Sequence, residues 1–244
     1  MRNIFNIFSK TAELFPHSHA LCIEGHYYTY QEIFCQAMSF ARVLESSADF
    51  CLLYSGDGLT IYIGFLACLI AGKVCVPVHH RNAYVELLKT AELVESYDII
   101  IDKKSLFHKD VVSAGDKKPW KIHVFSSEQA PTVMTSLNYS SSMNRYQAAI
   151  LLFTSGSTGK PKGILIKHTA IINYFNSLKK IASLGPKDKF AHTTDLAYDF
   201  SLHEMFACWL SGGCLFRFSS PRLWDLPTFL NENQITCITL VPSI

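Results

Sequence analysis

Three observations predict an α/β fold built from helix-covered, largely parallel sheets. Short apolar runs of strand length alternate with apolar or amphipathic runs of helix length along most of the chain. Turn-forming residues separate them, as in Gly56-Asp57-Gly58 and at Gly72. The strand runs at 50–54, 74–78 and 98–102 are dominated by Val, Ile, Leu and Cys, as in parallel strands covered by helices.

The elements follow in order. Thr29-Tyr-Gln-Glu32 has the form of a capping box, and Ile33, Ala37, Ala41 and Leu44 recur at helical spacing, so 30–46 reads as an amphipathic helix. A strand at 50–54 leads to an apolar helix over 59–71, which Gly72 stops. Residues 74–78 form the next strand, Asn82 can cap a helix running to about 97, and 98–102 is a strand again. Residues 122–125 could form a short strand. The polar, serine-rich stretch 126–147 reads as a surface loop or connection. Alternation then resumes with strands at 148–153, 164–167, 189–194, 214–218 and 235–240, and with helices at 169–182, 200–210 and 224–232. The expected division is a first α/β sheet over 50–185 and an incomplete second one from 1–49 plus 186–244.

Composition narrows the classes. Of 244 residues, 49% are hydrophobic and 17% charged, which is globular rather than disordered. A net charge of +2 gives no electrostatic case for nucleic acid or an anionic membrane. The eight cysteines contain no Cys-x-x-Cys pair and mostly sit in apolar runs, so they read as small buried hydrophobes in a reducing compartment. No signal peptide is evident, and the longest apolar run, 59–71, is shorter than the ~20 residues that span a bilayer. The expectation is a cytoplasmic protein.

The strand at 148–153 runs into Thr154-Ser-Gly-Ser-Thr-Gly-Lys-Pro-Lys-Gly163. Gly156, Gly159 and Gly163 permit positive φ and close approach of backbone amides to an anion. Thr154, Ser155, Ser157 and Thr158 bring hydroxyl donors, and Lys160 and Lys162 bring positive charge. A phosphate cradle is the chemistry this pattern favours over a plain flexible loop. It is not the P-loop of NTPases. That loop needs four residues between its first glycine and Gly-Lys, whereas only Ser157 and Thr158 intervene here, and Pro161 follows the lysine.

At these residues the chain resembles the adenylate-forming (AMP-binding) superfamily, which holds acyl-CoA synthetases, luciferases and the adenylation domains of peptide synthetases. The loop 154–163 matches that superfamily's signature without a gap. Tyr28-Thr-Tyr-Gln-Glu-Ile33 and Ala71-Gly-Lys-Val-Cys-Val-Pro-Val78 resemble its earlier motifs in the expected order, so the resemblance covers essentially the whole chain. It implies ATP with Mg²⁺, attack of a substrate carboxylate on the α-phosphorus, and release of pyrophosphate. It further implies that Thr154, Ser155, Gly156, Ser157, Thr158, Gly159, Lys162 and Gly163 bind the ATP phosphates.

Asp199 lies in Ala197-Tyr-Asp-Phe-Ser-Leu-His-Glu-Met-Phe206. Asp199 or Ser201 could cap the helix that follows. The run Tyr198-Asp-Phe-Ser201 also resembles the Phe-Asp-x-Ser motif of amino-acid adenylation domains, in which the aspartate pairs with the substrate's α-ammonium. A partly buried carboxylate suits that task. His203 could share the helix face and line the pocket, or lie at the surface. His192 and Asp195 carry no settled role, while Phe206 and Trp209 read as core. The resemblance implies transfer of the activated amino acid to a phosphopantetheinylated carrier protein. It assigns no catalytic or metal-binding residue here, because the superfamily's catalytic lysine and Mg²⁺-binding glutamate belong to motifs expected beyond Ile244. The chain is therefore expected to be an N-terminal portion that cannot complete the reaction alone. Two alternatives stand beside it: an acyl-CoA-type ligase for an acid without an amino group, and a non-catalytic nucleotide-binding or interaction module.

Overall fold

Asn3 is anchored in the interior, where its side chain donates to Leu69 O at 2.8 Å and accepts from the Phe5 amide at 2.9 Å. The structure, a computed structural model, describes residues 3–56, 58–78, 84–102, 119–126, 143–154, 161–220 and 222–240. Helix α1 (Phe5–Leu14) buries Phe5, Phe8 and Ala12. Strands β1 (His19–Ile23) and β2 (His26–Thr29) pair antiparallel through a turn at Glu24 and Gly25, both at positive φ. The sequence reading missed all three. Helix α1 carries no side-chain cap bond, and the two strands are only five and four residues long.

The capping box forms as read. The Thr29 amide donates to Glu32 Oε2 at 2.7 Å, and the Glu32 amide donates back to the Thr29 hydroxyl at 3.2 Å. It starts α2 (Tyr30–Leu44), which buries Ile33, Ala37, Ala41 and Leu44 on the predicted face. Then come β3 (Phe50–Leu53), α3 (Leu59–Ile70), β4 (Val74–Pro77), α4 (Tyr84–Leu93), β5 (Asp98–Asp102), β6 (Lys121–Phe125), β7 (Ala148–Thr154) and β8 (Lys162–Lys167). These six strands form one sheet in the order β6-β5-β3-β4-β7-β8, parallel except for the β7–β8 hairpin. After α5 (His168–Ile181), β9 (Lys189–His192), α6 (Asp199–Ser211) and β10 (Cys214–Arg217), a 3-10 turn (Leu223–Asp225) leads into α7 (Leu226–Glu232). The second sheet has the order β2-β1-β10-β9, with β10 parallel to both neighbours.

Alternation along the strands sorts side chains to two faces. In β3, Cys51 and Leu53 face the core shared by the two sheets, while Leu52 faces an outer cluster with Val74, Val76 and Ile99 that α4 covers through Leu87 and Ala91. Helix α3 lies inside the shared core, and every residue from Thr60 to Ile70 is buried. A helix apolar on all sides has no solvent face to offer, which is why it sits between layers. Six cysteines are buried and two, Cys214 and Cys237, are half-buried; all are free thiols.

Some expectations need correction or fall elsewhere. The strand expected at 235–240 reduces to one parallel bridge between Phe190 and Cys237. The proposed cap Asn82, and most of the polar stretch 126–147, lie outside the described residues. No helix among the described residues is long and apolar enough to cross a membrane.

Candidate functional site

The β7–β8 hairpin carries the glycine-rich loop. Thr154 closes β7 opposite Lys162, and Phe153 lies opposite Gly163. The Thr154 hydroxyl reaches the Lys162 carbonyl at 3.5 Å, a long contact that leaves this exposed side chain available. Ser155, Gly156, Ser157, Thr158, Gly159 and Lys160 lie outside the described residues. Gly163 does not take the positive φ that the glycine permits. It sits in β8, and a Cβ there would come within 3.1 Å of Leu151 and 3.3 Å of Phe153. Its missing side chain makes room for neighbouring side chains and serves no turn.

A cleft of about 570 Å³ opens beside this hairpin. Pro77 and Val78 at the end of β4, Phe153 and Pro161 at the loop's two stems, and Ala197 and Tyr198 line it. It therefore lies at the carboxyl ends of parallel strands, where open α/β sheets bind ligands. Its far rim carries the ion pair Lys89–Glu86 at 2.7 Å.

Tyr198 touches that cleft, and the next residue opens another. A second cleft of about 410 Å³ lies between α5 and α6. Asp199 and His203 both line it, so the helical spacing does put them on one face. Asp199 departs from expectation in one respect. It is exposed, and as the first residue of α6 it makes no side-chain cap bond. Ser201 does not cap an amide either, because its hydroxyl donates to Tyr198 O at 2.6 Å. His203 is half-buried, and burial holds its imidazole below the usual pKa of 6.5. Its Nδ1 lies 2.9 Å from the Tyr174 hydroxyl, and the Phe175 ring stacks alongside it at an interplanar angle of 17°. Phe206 and Trp209 are core, as read.

Two buried charged groups hold the segment that delivers Asp199. The Glu204 carboxylate accepts from the Thr193 hydroxyl at 2.9 Å, the Thr193 amide at 3.3 Å and the Thr194 amide at 3.1 Å. From the opposite side Arg217 Nη1 donates to Thr194 O at 3.2 Å. Within the loop, Asp195 accepts from the Ala197 amide at 2.8 Å. Burial raises the Glu204 pKa, and the threonine hydrogen bonds oppose the rise. His192, fully buried, bonds Tyr62 through Nδ1 at 2.6 Å, and burial with the nearby Arg217 charge keeps it neutral. The sequence reading missed Tyr174 and Glu204. Glu204 had one signal, a lone carboxylate within the otherwise apolar run Met205-Phe-Ala-Cys-Trp209 and its preceding turn.

Two layered α/β sheets, a hairpin at the carboxyl ends of parallel strands and paired clefts sharing the 197–200 segment define an α/β protein with two adjacent candidate binding clefts. The chain belongs to the AMP-binding enzyme family, whose pattern matches residues 8–244. Similar curated proteins include malformin synthetase mlfA of Aspergillus homomorphus, 30% identical over 241 residues and aligned with 93% of this chain and 4% of that protein. Tyrocidine synthase 1 of Brevibacillus parabrevis is 28% identical over 255 residues, covering 99% of this chain and 22% of the synthase. Among solved structures, the Vibrio cholerae adenylation domain AlmE in complex with glycyl-adenosine-5'-phosphate superposes with a TM-score of 0.83 at 23% identity, over 100% of this chain and 50% of AlmE. The N-terminal subdomain of Klebsiella oxytoca NpsA in complex with 3-hydroxybenzoyl-AMSN gives 0.78 at 25% identity, over 98% and 60%. The chain thus spans only a part of each of these relatives.

Proposed function

We propose that this chain is the nucleotide- and substrate-binding portion of an ATP-dependent ligase that activates an amino acid as aminoacyl-AMP, for transfer to a carrier-protein thiol. The observation that carries this reading is the carboxylate of Asp199 on the wall of the α5–α6 cleft, one residue from the cleft beside the glycine-rich hairpin. A carboxylate there can pair with an α-ammonium. The substrate's own carboxylate would then face the hairpin, where attack on the α-phosphorus forms the acyl–phosphate bond and expels pyrophosphate. Thr154 and Lys162, with Ser155, Gly156, Ser157, Thr158, Gly159 and Gly163, would hold the phosphates. In such a reaction positioning and charge neutralisation carry the rate. Among the described residues no three His, Cys, Asp or Glu side chains gather to hold a metal. Mg²⁺ would enter with the triphosphate.

The test is amino-acid-dependent exchange of labelled pyrophosphate into ATP by the protein that contains this chain. Exchange should require an amino acid, and Asp199→Ala should raise the amino-acid KM at least tenfold while changing the ATP KM little. Exchange supported only by acids that lack an amino group would overturn the reading. That second reading has two observations behind it: the cleft wall is mostly apolar and aromatic, and the NpsA subdomain was solved in complex with 3-hydroxybenzoyl-AMSN.

A further inference from the structure

The α5–α6 cleft has an uneven wall. Ile166, Ile171, Phe175, Phe200 and Leu202 make most of it apolar, and Asp199 supplies one carboxylate. The remaining polar lining is Thr239 and a hydrogen-bonded pair. Tyr174 and His203 both line the cleft, and the Tyr174 hydroxyl lies 2.9 Å from His203 Nδ1. Phe175, buried beneath, stacks on the imidazole and fixes its plane. The hydroxyl therefore occupies one ring nitrogen and leaves the other for a ligand.

A neutral phenol–imidazole pair has a particular chemistry. Either partner can donate the shared proton, and the free ring nitrogen is then a donor or an acceptor accordingly. Such a pair is satisfied by a group that can also donate or accept. A hydroxyl does both. A hydrocarbon side chain would leave the pair unsatisfied on a partly desolvated wall, which costs free energy. A carboxylate side chain would share the cleft with Asp199 and be repelled.

We propose that the cleft selects an amino acid whose side chain carries a neutral hydroxyl group, aliphatic or phenolic, read by the Tyr174–His203 pair, with Tyr174 as the residue that orients His203. The proposal rests on the amino-acid reading above.

Titration of the protein that contains this chain with non-hydrolysable 5'-O-(aminoacylsulfamoyl)adenosines tests it. The probes are matched pairs that differ by one hydroxyl: tyrosyl against phenylalanyl, and threonyl against 2-aminobutyryl. A benzoyl analogue without an ammonium is the control. The hydroxylated member of at least one pair should bind about tenfold tighter. Tyr174→Phe should reduce that ratio to about one. Because Tyr174 is half exposed, this variant should keep the parent's thermal midpoint, so a lost ratio reports recognition and not unfolding. Equal or tighter binding of both hydrocarbon members overturns the hydroxyl proposal alone, as does a ratio that survives Tyr174→Phe. Tighter binding of the benzoyl control than of every aminoacyl probe overturns the amino-acid reading itself, and the hydroxyl proposal with it. Binding of no probe overturns both.

Discussion

Glu204 shows what one buried side chain can decide. It has two carboxylate oxygens and accepts from three donors at the end of β9. Glutamine would keep one acceptor and turn an amide N–H₂ toward backbone donors. Glu204→Gln is therefore expected to lower the unfolding free energy by about 1–3 kcal/mol, the cost of buried donors left unpaired. Denaturant titration measures this through the midpoint. Asp199 is the opposite case. It is exposed and uncapped, so Asp199→Ala should leave the denaturation midpoint nearly unchanged, within about 0.5 kcal/mol. A residue proposed to meet the ligand and not to hold the fold separates the two measurements cleanly.

At the scale of elements, helix ends are the sharpest local test. Thr29→Ala removes one side of the capping box and should cost about 1 kcal/mol, read as a lower thermal midpoint. Gly212 ends α6 at φ 83°, and a Cβ there would lie 2.9 Å from the Phe15 ring. Gly212→Ala should therefore cost more than the usual left-handed penalty of about 1 kcal/mol, measured in the same melts. Both ends have local signals in the sequence: the Thr-x-x-Glu spacing read as a capping box, and Gly212-Gly213 just after the helix read over 200–210. The β3–α3–β4 alternation was legible for a similar reason: strands and helices covered on all sides read as apolar runs. What was not legible depended on distant partners. α1 docks by three aromatic contacts to α2 and α6, as Phe5 on Phe34 and Phe8 on Tyr30 and Trp209, and nothing within residues 5–14 announces those rings. The same holds at the site. Motif spacing reached Asp199 and His203, but Tyr174 comes from another helix and joins them only through the fold.

For the whole molecule, two buried histidines set the response to acid. His168 accepts from the Ile4 amide through Nδ1, and burial lowers its pKa from 6.5 to about 4. Burial also depresses His192 well below 6.5, with the Arg217 charge adding to it. Groups with depressed folded pKa values bind fewer protons when folded than when unfolded in this window. The stability they contribute is complete above about pH 6.5 and is lost as pH falls toward 4, with His168 alone worth up to about 3 kcal/mol. Glu204, raised by burial, acts in the opposite sense, but it is one group against these two and the half-buried His203, which burial also lowers. Urea midpoints should therefore fall steadily between pH 6.5 and 4.5; a flat profile would show that these histidines are not neutral in the folded protein. Helix α3 carries a different consequence. Its side chains complete the core under both sheets at once, so neither sheet can come apart while the other keeps its packing. Unfolding should be a single cooperative event, and the backbone amides of α3 should be among the last to exchange with deuterium, at the rate set by opening of the entire chain.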